Sequence, residues 1–431
     1  MHSPIKVKQE NQLSIEESKS EELVQQVQTV DVFSEIYKIK GIGPYERARL
    51  PHLKDPSQKM PFWKILKDLI GKDLTKVSMP VYFNEPLSIT QKSAETVEYH
   101  DLLDRAALES DSQKRLALVT TYMAVRASSI PGRMQKPFNS LLGETYELVT
   151  ENYRCITEQV SHHPPITALH CESKHATVYS ANSTTMKFNG RYISFQPKEP
   201  IFIVLKLQNG ETEEYDCSLP NITIHNLILG RLYIDMMGRT YCTNLMTGEK
   251  SETTWKEKGW SGTNYNMVEG VTKNAEGQSG YQMLGNFTKY IKILKIGESE
   301  DTAEEVWKAR PKPELSDQMY QFSNFTLQLN QLTEEMRPFL PHTDSRLRPD
   351  QRAFENGDID KATFLKHKLE ELQRARRKEL EKSGMHHKPA YFEKAPHPIT
   401  GEETWIYTGR YWSDRERSDW VHLERIYDCD Q

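Results

Sequence analysis

No run of this 431-residue sequence is apolar for the roughly 20 residues that a helical membrane span needs, and the most apolar stretch, IFIVLKL from Ile201, stops far short. The N-terminal MHSPIKVKQENQ lacks the apolar centre of a secretory signal. Contact with membranes is therefore expected to be peripheral. An excess of basic charge is missing too: 56 Lys and Arg face 61 Asp and Glu, for a formal net charge of -5. That balance argues against broad nucleic-acid binding and leaves room only for a local basic site. Cysteine is sparse. Cys155, Cys171, Cys217, Cys242 and Cys429 are odd in number, scattered and without a CxxC pair, which predicts free thiols in the cytosol rather than a disulfide or zinc framework. HExxH, HxH, a P-loop, a glycine-rich dinucleotide loop and a nucleophile elbow are all absent from the sequence. Neither a metal nor a cofactor is predicted.

What is present divides the chain. Residues 1–45 are rich in Glu, Gln, Ser and Val without a sustained apolar face, and read as a disordered polar tail. PFWKILKDLIGKDL then spaces Phe62, Trp63, Ile65, Leu66, Leu69 and Ile70 by three and four, predicting an amphipathic helix that ends at Gly71; a lid, a membrane-facing helix or a helix packed on its own core would each fit. Helical composition from Asp101 to Ser128 is broken by Pro131 and Gly132. Between Ala176 and Lys256 short alternating runs are separated by Asn189-Gly190, Asn209-Gly210, Gly238 and Thr247-Gly248, and more strands follow to about residue 295. Such turns between alternating runs predict an antiparallel meander, and a sheet approaching ten strands curls to hide its edges. A long helix is expected from about Asp358 to Lys382.

Three constellations could carry chemistry. EQVSHHPP, Glu158 to Pro165, ends a strand with His162 and His163 against two prolines that stiffen the rim. Neighbouring strand residues face opposite ways, so both histidines can meet one ligand only at a twist or bulge. Structural histidines, an anion clamp and catalysis with Glu158 all remain open on this motif. In MQKPFNSLLGETYEL, Lys136 and Asn139 flank a proline and offer a cation and an amide, although an ordinary loop looks the same. On the long helix, Lys366, Glu370 and Arg374 fall on one face at i, i+4 and i+8. A solvated face would also do this. From Lys361 to Lys382, however, eight Lys or Arg stand against four Glu, a basic patch suited to an anionic headgroup or membrane surface.

Taken together, EQVSHHPP, IGKDLTKVSMPVYFNEPLS at Ile70, KPFN and LLGETYEL, LPHTDSRLRPDQR at Leu340, GDIDKA at Gly357, LEELQRARRK at Leu369 and WIYTGRYW at Trp405 resemble the oxysterol-binding protein-related family of lipid-transfer domains, in order from about Arg49 to Trp412. The resemblance implies a mainly antiparallel β fold: an incomplete β-barrel around a lipid tunnel, with an N-terminal lid at about 60–79, the barrel at about 130–295 and a helical C-terminal region at about 310–431. It also implies a site for the phosphatidylinositol 4-phosphate headgroup at Lys136, Asn139, His162, His163, Lys366, Glu370 and Arg374, and lid backbone contacts to lipid at Leu74, Thr75, Lys76, Val77, Ser78 and Met79. The second cargo would be sterol or another membrane lipid, exchanged for the phosphoinositide between membranes by a cytosolic, membrane-peripheral protein. No catalytic residue and no nucleic-acid partner are implied. A sensor of phosphatidylserine or oxysterol is the alternative, and a histidine-dependent phosphoester hydrolase a more distant one. Two positions depart from the family pattern: Ser140 stands where a second proline often follows KPFN, and Phe287 where a tryptophan is usual.

Overall fold

Short alternating runs joined by tight turns assemble one fifteen-stranded sheet. The structure, a computed structural model, describes residues 46–55, 79–228 and 230–429. The expected tail, the helix at Pro61 to Ile70 and the lid positions Leu74, Thr75, Lys76, Val77 and Ser78 lie outside the described residues; Met79 lies inside them.

Two short strands, β1 (Asn84–Ser88) and β2 (Lys136–Phe138), pair in parallel. The large sheet comprises β3 (Thr145–Val149), β4 (Tyr153–His162), β5 (Pro165–Ser173), β6 (Ala176–Asn182), β7 (Thr184–Phe188), β8 (Ile193–Pro197), β9 (Ile201–Lys206) and β10 (Thr212–Cys217). It continues with β11 (Asn221–His225), β12 (Tyr233–Asn244), β13 (Lys250–Trp255), β14 (Met267–Lys273), β15 (Ser279–Asn286), β16 (Tyr290–Lys295) and β17 (Glu304–Lys308). The strand path runs from β17 back to β12, then through β10, β9, β6, β5 and β4 to β3, with β7, β8 and β11 branching from it at β12. Its ends, β3 and β17, do not pair with each other, so the barrel is incomplete. Each edge forms a hydrogen bond with a residue outside the sheet. Thr145 of β3 donates its N–H to the Thr343 carbonyl at 3.0 Å and bridges to Asp344, while the Arg105 guanidinium donates to the Val306 carbonyl of β17 at 2.7 Å. A contact of this kind blunts an edge as a template for pairing with other chains.

The helical stretch after residue 100 is two helices rather than one, α1 (Asp101–Leu108) and α2 (Ser112–Val125). Asp111 makes the break, because its carboxylate accepts from the N–H groups of Gln113 and Lys114 at 3.0 and 3.1 Å and caps the second helix. Every residue of α2 from Arg115 to Val125 is buried, and the helix packs against β12 to β15 and β17. One apolar cluster joins α1 and α2 to the sheet strands around them. A smaller shelf at β7, β8 and β11 is only half covered: Met186, Phe188, Phe195 and Ile224 pack beside Ile193, Leu227 and Met79.

Gly238 does not turn the chain, as its place between two alternating runs suggested. It sits inside β12 at φ +99°, where the strand stops pairing with β11 at Met237 and starts pairing with β13 at Trp255. A positive φ there bends one strand between two partners, which suits a residue without a Cβ. Gly285, at φ +152° in β15, meets a stricter limit, since a Cβ would lie 2.3 Å from the Tyr290 carbonyl oxygen. Its neighbour Phe287 fills the usual tryptophan position and packs edge-on against Trp255 with centroids 5.1 Å apart. Gly285→Ala is expected to cost about 2–3 kcal/mol through backbone displacement, read as a lower urea midpoint at unchanged m-value.

The cysteine expectation needs correction at two positions. Cys155 and Cys171 face each other across β4 and β5 and are joined as a disulfide, whereas Cys217 and Cys242 are free. Scattered spacing in the sequence hid a pairing that the strand register creates.

After the sheet, α3 (Pro349–Glu355) leads into α4 (Ile359–Ser383). The Asp358 side chain caps α4 by accepting from the Lys361 N–H at 3.0 Å, and Gly384 at φ +67° ends it. The C-terminal region is not purely helical: β18 (Phe392–Pro396) and β19 (Glu403–Tyr407) form a separate two-stranded sheet before the last helix, α5 (Tyr411–Arg417). No helix among the described residues is long and apolar enough to cross a membrane.

Candidate functional site

Three elements carry the predicted residues, and five of these, Lys136, His162, His163, Lys366 and Glu370, lie near one another. The loop before β2 is fixed by Arg133, which is buried and donates to both Glu85 and Glu95, themselves buried. β2 then holds Lys136 opposite Asn84, whose amide donates to the Pro137 carbonyl at 2.9 Å. A period of two puts Lys136 and Phe138 on the same side of this strand. Phe138 packs in one cluster with Ala362 and Leu365 of α4, and this carries Lys136 toward Lys366. Asn139 follows at the surface, its carbonyl accepting from the Arg348 guanidinium at 2.7 Å. Ser140 is fully buried, and its hydroxyl accepts from the Thr90 N–H at 3.2 Å and lies 3.3 Å from a Glu144 carboxylate oxygen. Proline's ring could make neither contact, so the departure from the family pattern is compensated locally.

The second element is the end of β4. Its register with β5 shifts between Gln159 and Ser161, placing an irregularity just before His162 and His163. Such a shift re-aims the side chains beyond it. The two imidazoles meet edge to face with centroids 4.7 Å apart. Glu158 does not join them. Its carboxylate is buried and accepts from the backbone N–H groups of Ala390 and Tyr391 at 2.7 and 2.9 Å. Burial pushes its pKa up to about 7 against the pull of those two donors. The upstream carboxylate of EQVSHHPP thus holds the C-terminal segment, and both its oxygens are engaged there.

The third element is α4. Ala362, Leu365 and Leu369 form the stripe that faces the protein, with Leu369 buried against Leu141 and Ile426. Beside that stripe Lys366 donates to Glu370 at 2.6 Å. Burial and then the nearby Lys366 bring the Lys136 ammonium down to about 8, with Glu370 acting in the opposite sense. Lys136 keeps exposed surface while protein crowds it, so the direction is what the surroundings support: two ammonium groups share one mouth and one carboxylate. Arg374, one turn beyond Glu370, is exposed. Among the described residues, no hydrogen bond or ion pair ties the Arg374 or Asn139 side chain to the other five.

His162 sits in surroundings that disfavour a charged ring. Burial, His163 and Arg377 depress its pKa to about 4, outweighing Glu370. At neutral pH and without a ligand it is uncharged. The residue that sequence reasoning missed is Gln373, whose side-chain nitrogen lies 2.9 Å from His162 Nε2. Its signal was available, since Gln373 falls three residues after Glu370 on the same helical face.

Comparison with known proteins is consistent along the chain. The sequence model of the family described as "Oxysterol-binding protein" matches residues 61–416. Oxysterol-binding protein homolog 2 of Saccharomyces cerevisiae is 35% identical over 427 residues, covering 93% of this chain and 33% of that protein. Oxysterol-binding protein-related protein 1 of Homo sapiens is 35% identical, covering 88% of this chain and 44% of that protein. The chain therefore spans less than half the length of these curated relatives. The Osh1 ORD domain, solved in complex with cholesterol, superposes with a TM-score of 0.86 at 33% identity, covering 92% of this chain and 98% of that one. The Osh3 ORD from Saccharomyces cerevisiae, solved in complex with PI(4)P, superposes with a TM-score of 0.76 at 30% identity, covering 89% and 99%.

Proposed function

This chain belongs to the oxysterol-binding protein family, and from that premise we propose that it carries one lipid at a time, exchanging sterol or a similar lipid for phosphatidylinositol 4-phosphate between membranes. The observation that carries the reading is the convergence of Lys136, Lys366 and Glu370 with His162 and His163 at one mouth. A phosphomonoester brings nearly two negative charges, and two ammonium groups held close to each other gain most from such a partner. Glu370 orients Lys366 and can accept from inositol hydroxyls.

Further support comes from the half-covered shelf of Met186, Phe188, Phe195 and Ile224 beside Met79, where apolar surface remains for a hydrocarbon body. Each Å² it loses to a lipid is worth about 25 cal/mol, which makes passage of a sterol or acyl chain through water tolerable. Neighbours of the same fold have been solved with cholesterol and with PI(4)P, and both cargoes are part of the reading for that reason.

The test is transport in both directions between two liposome populations, one loaded with sterol and the other with phosphatidylinositol 4-phosphate. Counter-transport is expected, with each lipid returned intact and each population accelerating removal of the other cargo. Binding without transfer would replace the carrier with a sensor. Release of inorganic phosphate would replace it with a hydrolase.

A further inference from the structure

We propose that Gln373 is a positioning residue that locks His162 as the tautomer protonated on Nδ1, so that the headgroup phosphate is met by a neutral imidazole donor. This rests on the headgroup reading above and specifies how one of its residues would work. The orientation of the Gln373 amide is settled by its other neighbour. Its Oε1 accepts from the backbone N–H of Leu142 at 2.8 Å, and a flipped amide would set an –NH2 group against that N–H, donor against donor. The Gln373 nitrogen is therefore the atom that faces His162, at 2.9 Å from Nε2. An amide –NH2 only donates, so Nε2 must present its lone pair. A neutral ring then carries its proton on Nδ1.

Nδ1 is closed off from solvent and has no hydrogen-bond partner among the described residues. A buried donor left unmatched calls for an explanation, and a binding role supplies one: a phosphate oxygen would satisfy Nδ1 once the groups covering it move aside on lipid entry. Protonating His162 would create a second N–H on Nε2, pointing at the Gln373 –NH2. Gln373 could answer only by turning over and abandoning Leu142. Burial opposes protonation as well, followed by His163 in the adjacent position and Arg377 on α4, against a weaker pull from Glu370. Gln373 thus links three pieces of the mouth: the loop after β2 through Leu142, the end of β4 through His162, and α4, on which it stands. The cationic contribution is left to Lys136 and Lys366, while His162 supplies a directed hydrogen bond.

The decisive measurement is a long-range 15N–1H correlation spectrum of lipid-free protein labelled at histidine, with His162 assigned by its loss in His162→Ala. At pH 7 the expected signature is an unprotonated Nε2 and a protonated Nδ1. Gln373→Glu preserves size and the bond from Leu142 but accepts from Nε2–H, so it should turn His162 into the doubly protonated form at the same pH. Gln373→Leu should release the tautomer and reduce uptake of phosphatidylinositol 4-phosphate from doped phosphatidylcholine vesicles by about tenfold, the loss of one hydrogen bond to a charged group. Sterol uptake should be unchanged. A wild-type His162 that is protonated on Nε2 or on both nitrogens at pH 7 overturns the proposal. So does a Gln373→Leu protein with unaltered phosphoinositide uptake. Neither result bears on whether the headgroup site exists, which the joint replacement of His162 and His163 decides.

Discussion

Replacing His162 and His163 together with alanine should reduce extraction of phosphatidylinositol 4-phosphate from liposomes by about a hundredfold or more, while extraction of the second lipid stays within about twofold. Each hydrogen bond to a charged phosphate contributes about 1.5–3 kcal/mol, and each 1.4 kcal/mol is about tenfold in affinity. Two donors side by side, with rings 4.7 Å apart, are therefore worth about two to four decades. A sterol has no phosphate and should not register their loss. The change should also leave the fold intact, since His163 is exposed and His162 only half buried. Wild-type levels of phosphoinositide extraction by the doubly substituted protein would remove the headgroup assignment. Equal loss for both lipids would point to a collapsed mouth instead.

The largest stability effect is expected at Arg133→Met, at about 3–5 kcal/mol, the usual cost of leaving buried charge without its partner. Arg133 is 4% exposed, spans Glu85 and Glu95, and lies over the Phe322 ring at 4.9 Å from its centroid. Burial raises the Glu95 carboxyl, but Arg133 and Lys92 outweigh it, and the net pKa is lowered. The sign of the pH dependence follows. A carboxyl depressed in the folded state contributes stability above its unfolded value and loses it as pH falls through the folded one. In the variant the Glu95 carboxyl should instead be raised by burial. The gap between wild type and Arg133→Met should therefore be widest near pH 7 and narrow below the ordinary carboxylate range. Denaturant titrations at pH 7 and pH 4 measure both quantities, and a gap that widens on acidification would refute the electrostatic account. Because the same loop delivers Lys136, phosphoinositide uptake should weaken along with stability.

The meander was legible because its information is local. Asn189-Gly190 and Asn209-Gly210 lie between paired strands, and burial alternates along β10, whereas the apolar run of β9 is buried at its first three residues in succession. The bounds of α4 could be read for the same reason, with Asp358 and Gly384 as caps. What stayed hidden depends on register or on partners far away in the chain. Asp111 looks like one more polar residue in a helical stretch until its carboxylate is seen to cap α2. Cys155 meets Cys171 only because β4 and β5 align them. Glu158 beside two histidines suggests chemistry, yet its partners are backbone groups at Ala390 and Tyr391, more than 200 residues on. Gln373 matters through Leu142, whose place beside α4 no spacing rule supplies.

The seal on β3 also has a temporal side. Thr145 leaves the ribosome long before Thr343 and Asp344, the residues that cover its strand edge. At translation rates of about 5–20 residues per second, the intervening stretch takes roughly 10–40 seconds to emerge. For that interval each nascent chain exposes an uncovered strand with its partner not yet made. Synthesis of this protein should therefore lean on chaperones that shield β edges, and crowding on polysomes should favour entanglement between neighbouring copies at this strand.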